Sequence, residues 1–172
     1  MTSKKISLIV FLAFALFTGA VTTSCGAYSF SGASVPDSIK TIRVNFIENK
    51  ARYVNPQLSP RLTDKFKQKI NSQTRLTQTN NENAHYVIDA YVGDYSVSTS
   101  GLSNQQASNN RLTVAIHISL TNTLAGKTEE HDVSRSYEFS ANTSFQAAQN
   151  ALMDNMVRDL TDDIFNRVFS NW

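Results

Sequence analysis

Apolar and polar residues alternate in four stretches of the chain, with the period of two that is typical of half-buried β-strands. The clearest is residues 112–120, where Leu, Val or Ile occupies every second position. Residues 133–139 place Val, Tyr and Phe on one face together with Arg135. Each stretch predicts a strand with one face in the core and the other exposed.

Two earlier stretches follow the same pattern. In residues 41–46, Phe46 belongs to the alternating apolar set of a half-buried strand. In residues 84–97, the apolar set faces one side, and Tyr95 is predicted to face the other side with Asp89. Residues 99–110 are polar and longer than a hairpin turn requires, which predicts a loop between the second and third strands.

Two other stretches repeat their apolar residues at the spacing of amphipathic helices. The first is predicted to begin with Ser59 as N-cap and Pro60 at the first helical position. The second opens with a capping-box pattern that starts at Thr143. The predicted buried stripes are Leu62, Phe66 and Ile70 in the first helix and Leu152, Met156, Leu160, Ile164 and Val168 in the second.

These elements occur in the order β-α-β-β-β-α, and consecutive strands favour an antiparallel meander. We therefore predict an α+β fold, with two helices packed on one face of a four-stranded, mainly antiparallel sheet. Residues 41–172 hold all of these elements and form a single predicted domain.

Residues 1–24 have the three parts of a secretory signal peptide, which are two lysines, an apolar run and a zone of small residues. The apolar run, residues 6–17, is too short to span a membrane, which takes about 20 helical residues. Cys25 follows directly and resembles the lipid-modified cysteine of bacterial lipoproteins, so we predict that its thiolate accepts a lipid. The alternative is an ordinary signal peptide and a free cysteine, which would be a liability in an oxidising compartment.

Residues 25–40 are small and polar and include Pro36, which predicts a lipidated tether before the domain. Several acyl chains on Cys25 would anchor the chain firmly, since each buried methylene contributes about 0.8 kcal/mol. Gly26 and Ala27 do not resemble an inner-membrane retention signal. We therefore predict a location at the periplasmic face of a Gram-negative outer membrane.

Composition excludes two classes of protein. Hydrophobic residues make up 41% of the 172 residues, which excludes a disordered chain. The net charge of +2 is too small for a nucleic-acid-binding surface. The two positive charges that make up this excess belong to Lys4 and Lys5 of the predicted signal peptide. The mature chain, residues 25–172, therefore has a net charge of zero.

The sequence contains no known catalytic or metal-binding motif. The three histidines do not share helix spacing, and we find no carboxylate in the sequence pattern to orient His117 beside Ser119. The carboxylates between residues 154 and 163 alternate with Asn and Arg, as on a solvated helix face. We therefore predict a protein without enzymatic activity, metal or cofactor.

Two groups of basic side chains are candidate contacts with a partner or with anionic lipid. Arg61, Lys65 and Lys69 repeat every four residues along the first helix, and Arg43 and Arg52 flank the first strand. The alternative interpretation of both groups is a solvated surface.

Four stretches resemble the LptE family of lipopolysaccharide-assembly lipoproteins. They are CGAYSFSG at residues 25–32, YVNPQLS at 53–59, NRLTV at 110–114 and DIFNRVFSNW at 163–172. No stretch is specific alone, and the resemblance depends on their order and spacing across the mature chain. It implies a non-enzymatic protein with two helices on a four-stranded sheet.

The resemblance also implies partners and a location. LptE-like proteins insert into the lumen of the outer-membrane barrel LptD as plug and assembly partner, and they help pass lipopolysaccharide to the cell surface. The implied partners are therefore an LptD-like barrel, lipopolysaccharide and the membrane reached by the lipid anchor, and not nucleic acid. A neutral, polar surface would suit a polar barrel lumen.

Two other functions stay open from the sequence. One is a periplasm-facing accessory lipoprotein that binds or carries lipid for a transport system. The other is a lipoprotein enzyme with an unrecognised site.

Overall fold

The computed structural model describes residues 34–103 and 106–170, with side chains described except at 102–108. The predicted signal peptide, Cys25 and residues 26–33 of the tether lie outside the described residues, as does Trp172. The described residues form six strands and two helices: β1 Thr41–Val44, β2 Glu48–Asn49, α1 Leu58–Gln73, β3 Thr77–Gln78, β4 Tyr86–Ser103, β5 Gln106–Asn122, β6 Lys127–Ser140 and α2 Phe145–Phe169.

The strands form one mixed sheet. β4, β5 and β6 make an antiparallel meander, in which Ile88 lies opposite Leu120 and Leu112 opposite Tyr137. β1 runs parallel to β3 on one side and to β4 on the other, and β2 runs parallel to β4 further along the same edge. The β1–β4 pair is parallel because α1 crosses back over the sheet before the chain returns.

The predicted α+β class with two helices is confirmed, but the four-stranded, mainly antiparallel sheet is wrong in its details. The sheet is mixed and has two further strands, β2 and β3, in the part of the chain that is described. Each of these has only two residues, so neither shows an alternating pattern.

The predicted loop at residues 99–110 is also wrong. β4 continues to Ser103 and β5 begins at Gln106, so most of this segment is a two-stranded hairpin. Its polar residues pair through backbone hydrogen bonds, which require no apolar side chain.

The core lies between the sheet and both helices. Leu62, Phe66 and Ile70 of α1 are fully buried there, as their spacing predicts. They share one core with the buried face of β5, where all five alternating apolar residues between 112 and 120 are 7% exposed or less. Full burial of one such side chain contributes about 1.5–3 kcal/mol.

The second helix buries most of its predicted stripe. Met156, Leu160 and Ile164 are completely buried, and Leu152 and Val168 pack at the margin of the core. Its N-cap is Ser144, one residue after the predicted start, and the Ser144 hydroxyl accepts the N–H of the third helical residue. Among the residues with described placement, no helix is both long and apolar enough to cross a membrane.

The first helix begins earlier than predicted. Its first residue is Leu58 and its N-cap is Gln57, so Pro60 occupies the third helical position rather than the first. The Asn55 side-chain oxygen accepts the Gln57 N–H at 2.9 Å. This Asn turn starts the helix before Ser59, which was the predicted cap.

A β-bulge reverses the predicted orientation of Tyr95. Gly93 is skipped in the pairing of β4 with β5, between Val92 and Asp94. The extra residue shifts the alternation by one position, so Tyr95 faces the core and is 3% exposed.

The C-terminal end of the first strand also differs from the prediction. β1 ends at Val44, and Phe46 is 54% exposed, whereas the following residue, Ile47, is 1% exposed. The chain leaves the sheet after Val44, so the strand alternation no longer decides which side chain is buried.

Residues 34–40, which the sequence assigns to the tether, lie against the domain. The Ser34 N–H donates to the Phe169 carbonyl at 2.6 Å. Ile39 is buried, and Asp37 forms an ion pair with Arg75 at 2.9 Å. The described chain therefore enters the domain beside the C-terminal end of α2.

Candidate functional site

The basic row of α1 (Arg61, Lys65 and Lys69) lies beside a row of charged residues on α2. Arg61 forms an ion pair with Asp154, and the Lys69 ammonium lies 2.8 Å from the Asp162 carboxylate. Ion pairs at a partly exposed position contribute about 0–1 kcal/mol. These two basic side chains therefore connect the helices and are already occupied within the chain.

The middle of the row lines a depression between the helices. Lys65, Arg158 and the ion pair of Arg61 with Asp154 all line it. Arg158 forms an ion pair with Asp159 of its own helix at 3.0 Å. Lys65 is exposed and has no ion-pair partner within residues 34–103 and 106–170. Lys65 is therefore the member of the row that is free to meet an external anion.

The other two predicted basic contacts lie elsewhere. Arg43 is partly buried in β1, on the face of the sheet opposite the helices, and its Nε has no hydrogen-bond partner in the described structure. Arg52 is exposed between β2 and α1. The structure therefore does not bring the five predicted basic residues together into one site.

His117 lies between two carboxylates on the outer face of the sheet, away from the helices. Its Nδ1 is 2.8 Å from Asp132 and its Nε2 is 2.8 Å from Glu130. The expectation that no carboxylate orients His117 is wrong, because the β5–β6 register places Asp132 directly opposite. The hydrogen bond with Asp132, followed by that with Glu130, raises the pKa of the His117 imidazole.

This arrangement does not form a serine nucleophile and its base. The Ser119 hydroxyl donates to Glu130 at 3.0 Å, and both nitrogens of His117 are occupied by carboxylates. A catalytic histidine needs one nitrogen for the nucleophile. The described side chains also include no cluster of three residues suited to hold a metal ion.

Replacing His117 with glutamine is expected to make stability depend less on pH between about pH 5 and pH 9. The raised folded-state pKa means that the imidazolium stabilises the folded protein fully below the unfolded value of about 6.5. This contribution is lost as the pH rises through the folded-state pKa. The urea unfolding midpoint, measured across this range, should therefore fall more with pH in the wild type than in His117→Gln.

Ser119→Ala is the matched control for this prediction. It changes a neighbour that also binds Glu130 but removes no titratable group, so the wild-type pH dependence should remain. Equal pH dependence in the wild type and His117→Gln would contradict the imidazolium assignment.

Tyr95, turned inward by the bulge, joins a network at the N-terminal end of α2. Its hydroxyl accepts hydrogen bonds from the Gln149 amide at 3.1 Å and from the Asn55 amide at 3.4 Å. The Tyr53 ring stacks on Tyr95 with centroids 5.5 Å apart, and Phe145 meets Tyr53 edge-on at 5.2 Å. Burial raises the pKa of Tyr95. The YVNPQLS stretch thus joins β4 to α2 through Tyr53 and Asn55.

Arg135 shares a face of β6 with apolar residues, as predicted, and the structure shows its partner. Its guanidinium lies 2.7 Å from the Asp163 carboxylate of α2. This hydrogen bond raises the pKa of Arg135 further above its ordinary value. No sequence pattern relates Arg135 to Asp163, because the contact depends on how α2 packs against β6.

Comparison with solved structures supports the fold. Protein XCC0632 from Xanthomonas campestris aligns with a TM-score of 0.53 at 8% identity, over 80% of this chain and 90% of that chain. PelC from Paraburkholderia phytofirmans gives 0.49 at 11% identity, over 81% and 95%. Rare lipoprotein B from Shewanella oneidensis gives 0.40 at 13% identity, over 73% and 89%. At 8% identity, the match to protein XCC0632 supports the fold alone. The TM-scores of the other two matches are below 0.5, so we draw no conclusion from them.

Comparison of sequences identifies the family. No curated protein sequence matches the chain. Residues 39–168, which include both helices and all strands described above except the last residue of α2, match the LptE family, described as lipopolysaccharide-assembly. This match covers most of the chain and includes the resembling stretches at 53–59 and 110–114 and most of the stretch at 163–172, whereas the stretch at 25–32 lies outside it. The chain is a member of the LptE lipopolysaccharide-assembly family.

Proposed function

We propose that this chain is an outer-membrane lipoprotein, anchored by lipid on Cys25, that occupies the lumen of an LptD-like β-barrel. There it helps the barrel to assemble and helps pass lipopolysaccharide to the outer leaflet. The observation that carries the proposal is the LptE family match over residues 39–168, which supports a role in lipopolysaccharide assembly. The family role is non-enzymatic, and we propose no catalytic activity for this chain.

The outer face of the sheet suits a polar barrel lumen. Thr113 pairs with Ser136, and Thr121 with Thr128, each through hydroxyl groups 3.0 Å apart. His117 is paired with Glu130 and Asp132 on this face, and Arg111 with Glu138. Enclosing these pairs does not isolate an unpaired ion, which would be costly.

The lining of a neighbouring depression favours a plug over a lipid carrier. A carrier needs an apolar groove for acyl chains. The depression between β6 and α2 has a volume of about 560 Å³ and a largely polar lining that includes Glu129, His131, Asp163, Asn166 and Arg167.

Lys65 and Arg52 are the basic residues that we retain as contacts with lipopolysaccharide or the barrel. Both are exposed. Arg61 and Lys69 bind carboxylates of α2, and Arg43 is partly buried. A lipid phosphate at Lys65 would displace no carboxylate from that ammonium, and it would share the depression with Asp154, which is paired with Arg61.

The test is purification of the full-length chain from detergent-solubilised outer membranes. We expect a one-to-one complex with a single large β-barrel protein, identified by mass spectrometry. Depletion of the chain should reduce both the assembled barrel and the lipopolysaccharide at the cell surface. Normal barrel assembly in depleted cells would contradict the plug, and a monomer that carries phospholipid would support the carrier instead.

A further inference from the structure

One edge of β4 is open beyond β2. β1 and β2 cover this edge as far as Val92, whose carbonyl accepts the Lys50 N–H at 2.9 Å. From Asp94 to Gly101, β4 pairs with β5 and with no other strand of the described structure. Residues 96–99 are exposed. The backbone groups of residues 96–99 along this edge are therefore accessible to a partner.

The register identifies which backbone groups face the open edge. The Val92 carbonyl faces this edge. Val92 and its partner on β5, Ile116, are therefore a pair without backbone hydrogen bonds to each other. β5 continues without a bulge to its next two alternate residues, Val114 and Leu112, which lie opposite Tyr95 and Val97. The N–H and C=O groups of Tyr95 and Val97 therefore face the open edge, whereas those of Ser96 and Ser98 face β5.

The open edge lacks the charges that protect the opposite end of the sheet. β6 forms that end, and six of its 14 residues are charged: Lys127, Glu129, Glu130, Asp132, Arg135 and Glu138. Residues 94–101 carry a single charge, at Asp94. Charged side chains on an edge strand prevent pairing with another chain. Their scarcity beside the open edge of β4 therefore permits pairing there.

Exposed apolar side chains lie on the core-facing side of this edge. Val97 is 42% exposed, and Tyr53, which stacks on Tyr95, is 41% exposed. The adjacent Val54 is 55% exposed. On the other side of the strand, Ser96 and Ser98 are small and polar. A complementary strand would therefore be apolar on one side and small and polar on the other.

We propose that residues 94–101 of β4 accept an extended, uncharged segment of the barrel partner by β-strand addition. The inference rests on the proposed function, which supplies that partner. The segment adds a strand to the sheet, with main-chain hydrogen bonds to Tyr95 and Val97. Its apolar side chains cover Val97 and Tyr53, and its alternate small polar side chains lie beside Ser96 and Ser98.

The size of the edge argues for this partner over a second copy of the chain. Eight residues of strand are about 26 Å long, and at a thickness of about 10 Å they bury on the order of 260 Å² of each partner. A stable interface buries roughly 800 Å² per partner. The occupant must therefore belong to a partner that also contacts the domain elsewhere, as a surrounding barrel does.

Hydrogen–deuterium exchange at residue level tests the inference on the full-length chain, isolated and in its purified barrel complex. In the isolated chain, the amide of the exposed Val97 should exchange fast, and the Ser96 and Ser98 amides slowly. In the complex, exchange at Val97 should slow by about tenfold or more, whereas Ser96 and Ser98 stay slow. Unchanged exchange at Val97 in an intact complex would overturn the inference and leave the proposed function standing.

Two substitutions of Val97 separate its amide from its side chain. Val97→Pro removes the N–H on the open edge, where proline leaves the β4–β5 hydrogen bonds intact, and it should lower the yield of complex at least about tenfold. Val97→Thr keeps the N–H and should retain most of the complex. Slow exchange at Ser96 and Ser98 confirms that each variant is folded, and Val97→Lys replaces the proline variant if that test fails. A wild-type yield with either disruptive variant would overturn the inference.

The same measurements distinguish the other occupants. Protection of the Val97 amide that appears in the isolated chain and rises with its concentration would assign the edge to a second copy. Absence of any barrel complex with the wild-type chain would overturn the proposed function itself.

Discussion

Cys25→Ser is expected to abolish both lipid attachment and the cut before residue 25. A thiolate is the nucleophile that accepts the lipid, and serine does not supply one. Without acyl chains, each worth about 0.8 kcal/mol per buried methylene, the chain loses its anchor. Intact-mass spectrometry should show residues 25–172 with fatty acids in the wild type and the full 172 residues without lipid in the variant. Membrane fractionation should show that the variant does not reach the outer membrane.

Ser24→Ala is the matched control, because it keeps a small residue before the cysteine and should leave lipidation intact. The alternative of an ordinary signal peptide makes a different prediction. In that case both variants would be cut normally and neither would carry fatty acids. Normal processing of Cys25→Ser would therefore contradict lipidation.

The fold was predictable where one pattern runs unbroken. Residues 112–120 alternate without interruption, and the structure buries the Leu, Val or Ile at every second position. Tyr95 was not predictable in the same way, because the bulge at Gly93 adds one residue and reverses the orientation of the residues that follow it, as far as the next register shift after Thr99. A glycine within a strand is compatible with a bulge but does not show that one is present.

The contacts of the candidate site depend on packing that no local pattern encodes. The two ion pairs between α1 and α2 join residues 93 positions apart. The carboxylate beside His117 depends on the β5–β6 register, which follows from the length of the intervening turn at Gly126. The sequence therefore identified the basic row of α1, but not that only its middle residue, Lys65, is without a carboxylate in the described structure.

Phe66→Ala is expected to lower the free energy of unfolding by about 3–5 kcal/mol. Phe66 is fully buried between α1 and the rest of the core, so its removal loses the transfer free energy of the ring and leaves a cavity. Domains of this size have total stabilities of about 5–15 kcal/mol, so the loss is a large fraction of the whole. Equilibrium urea unfolding of the mature domain, followed by circular dichroism, measures it.

Phe46→Ala is the control, and it decides between the sequence pattern and the structure. Both phenylalanines occur in regular apolar patterns, but Phe46 is 54% exposed because β1 ends two residues before it. A surface substitution of this kind should change stability by no more than about 0.5 kcal/mol. If Phe46→Ala instead cost as much as Phe66→Ala, β1 would have to continue through Phe46 with that ring in the core. Ile47, which is 1% exposed, would then have to turn outward, so Ile47→Ala would become the mild variant of the pair.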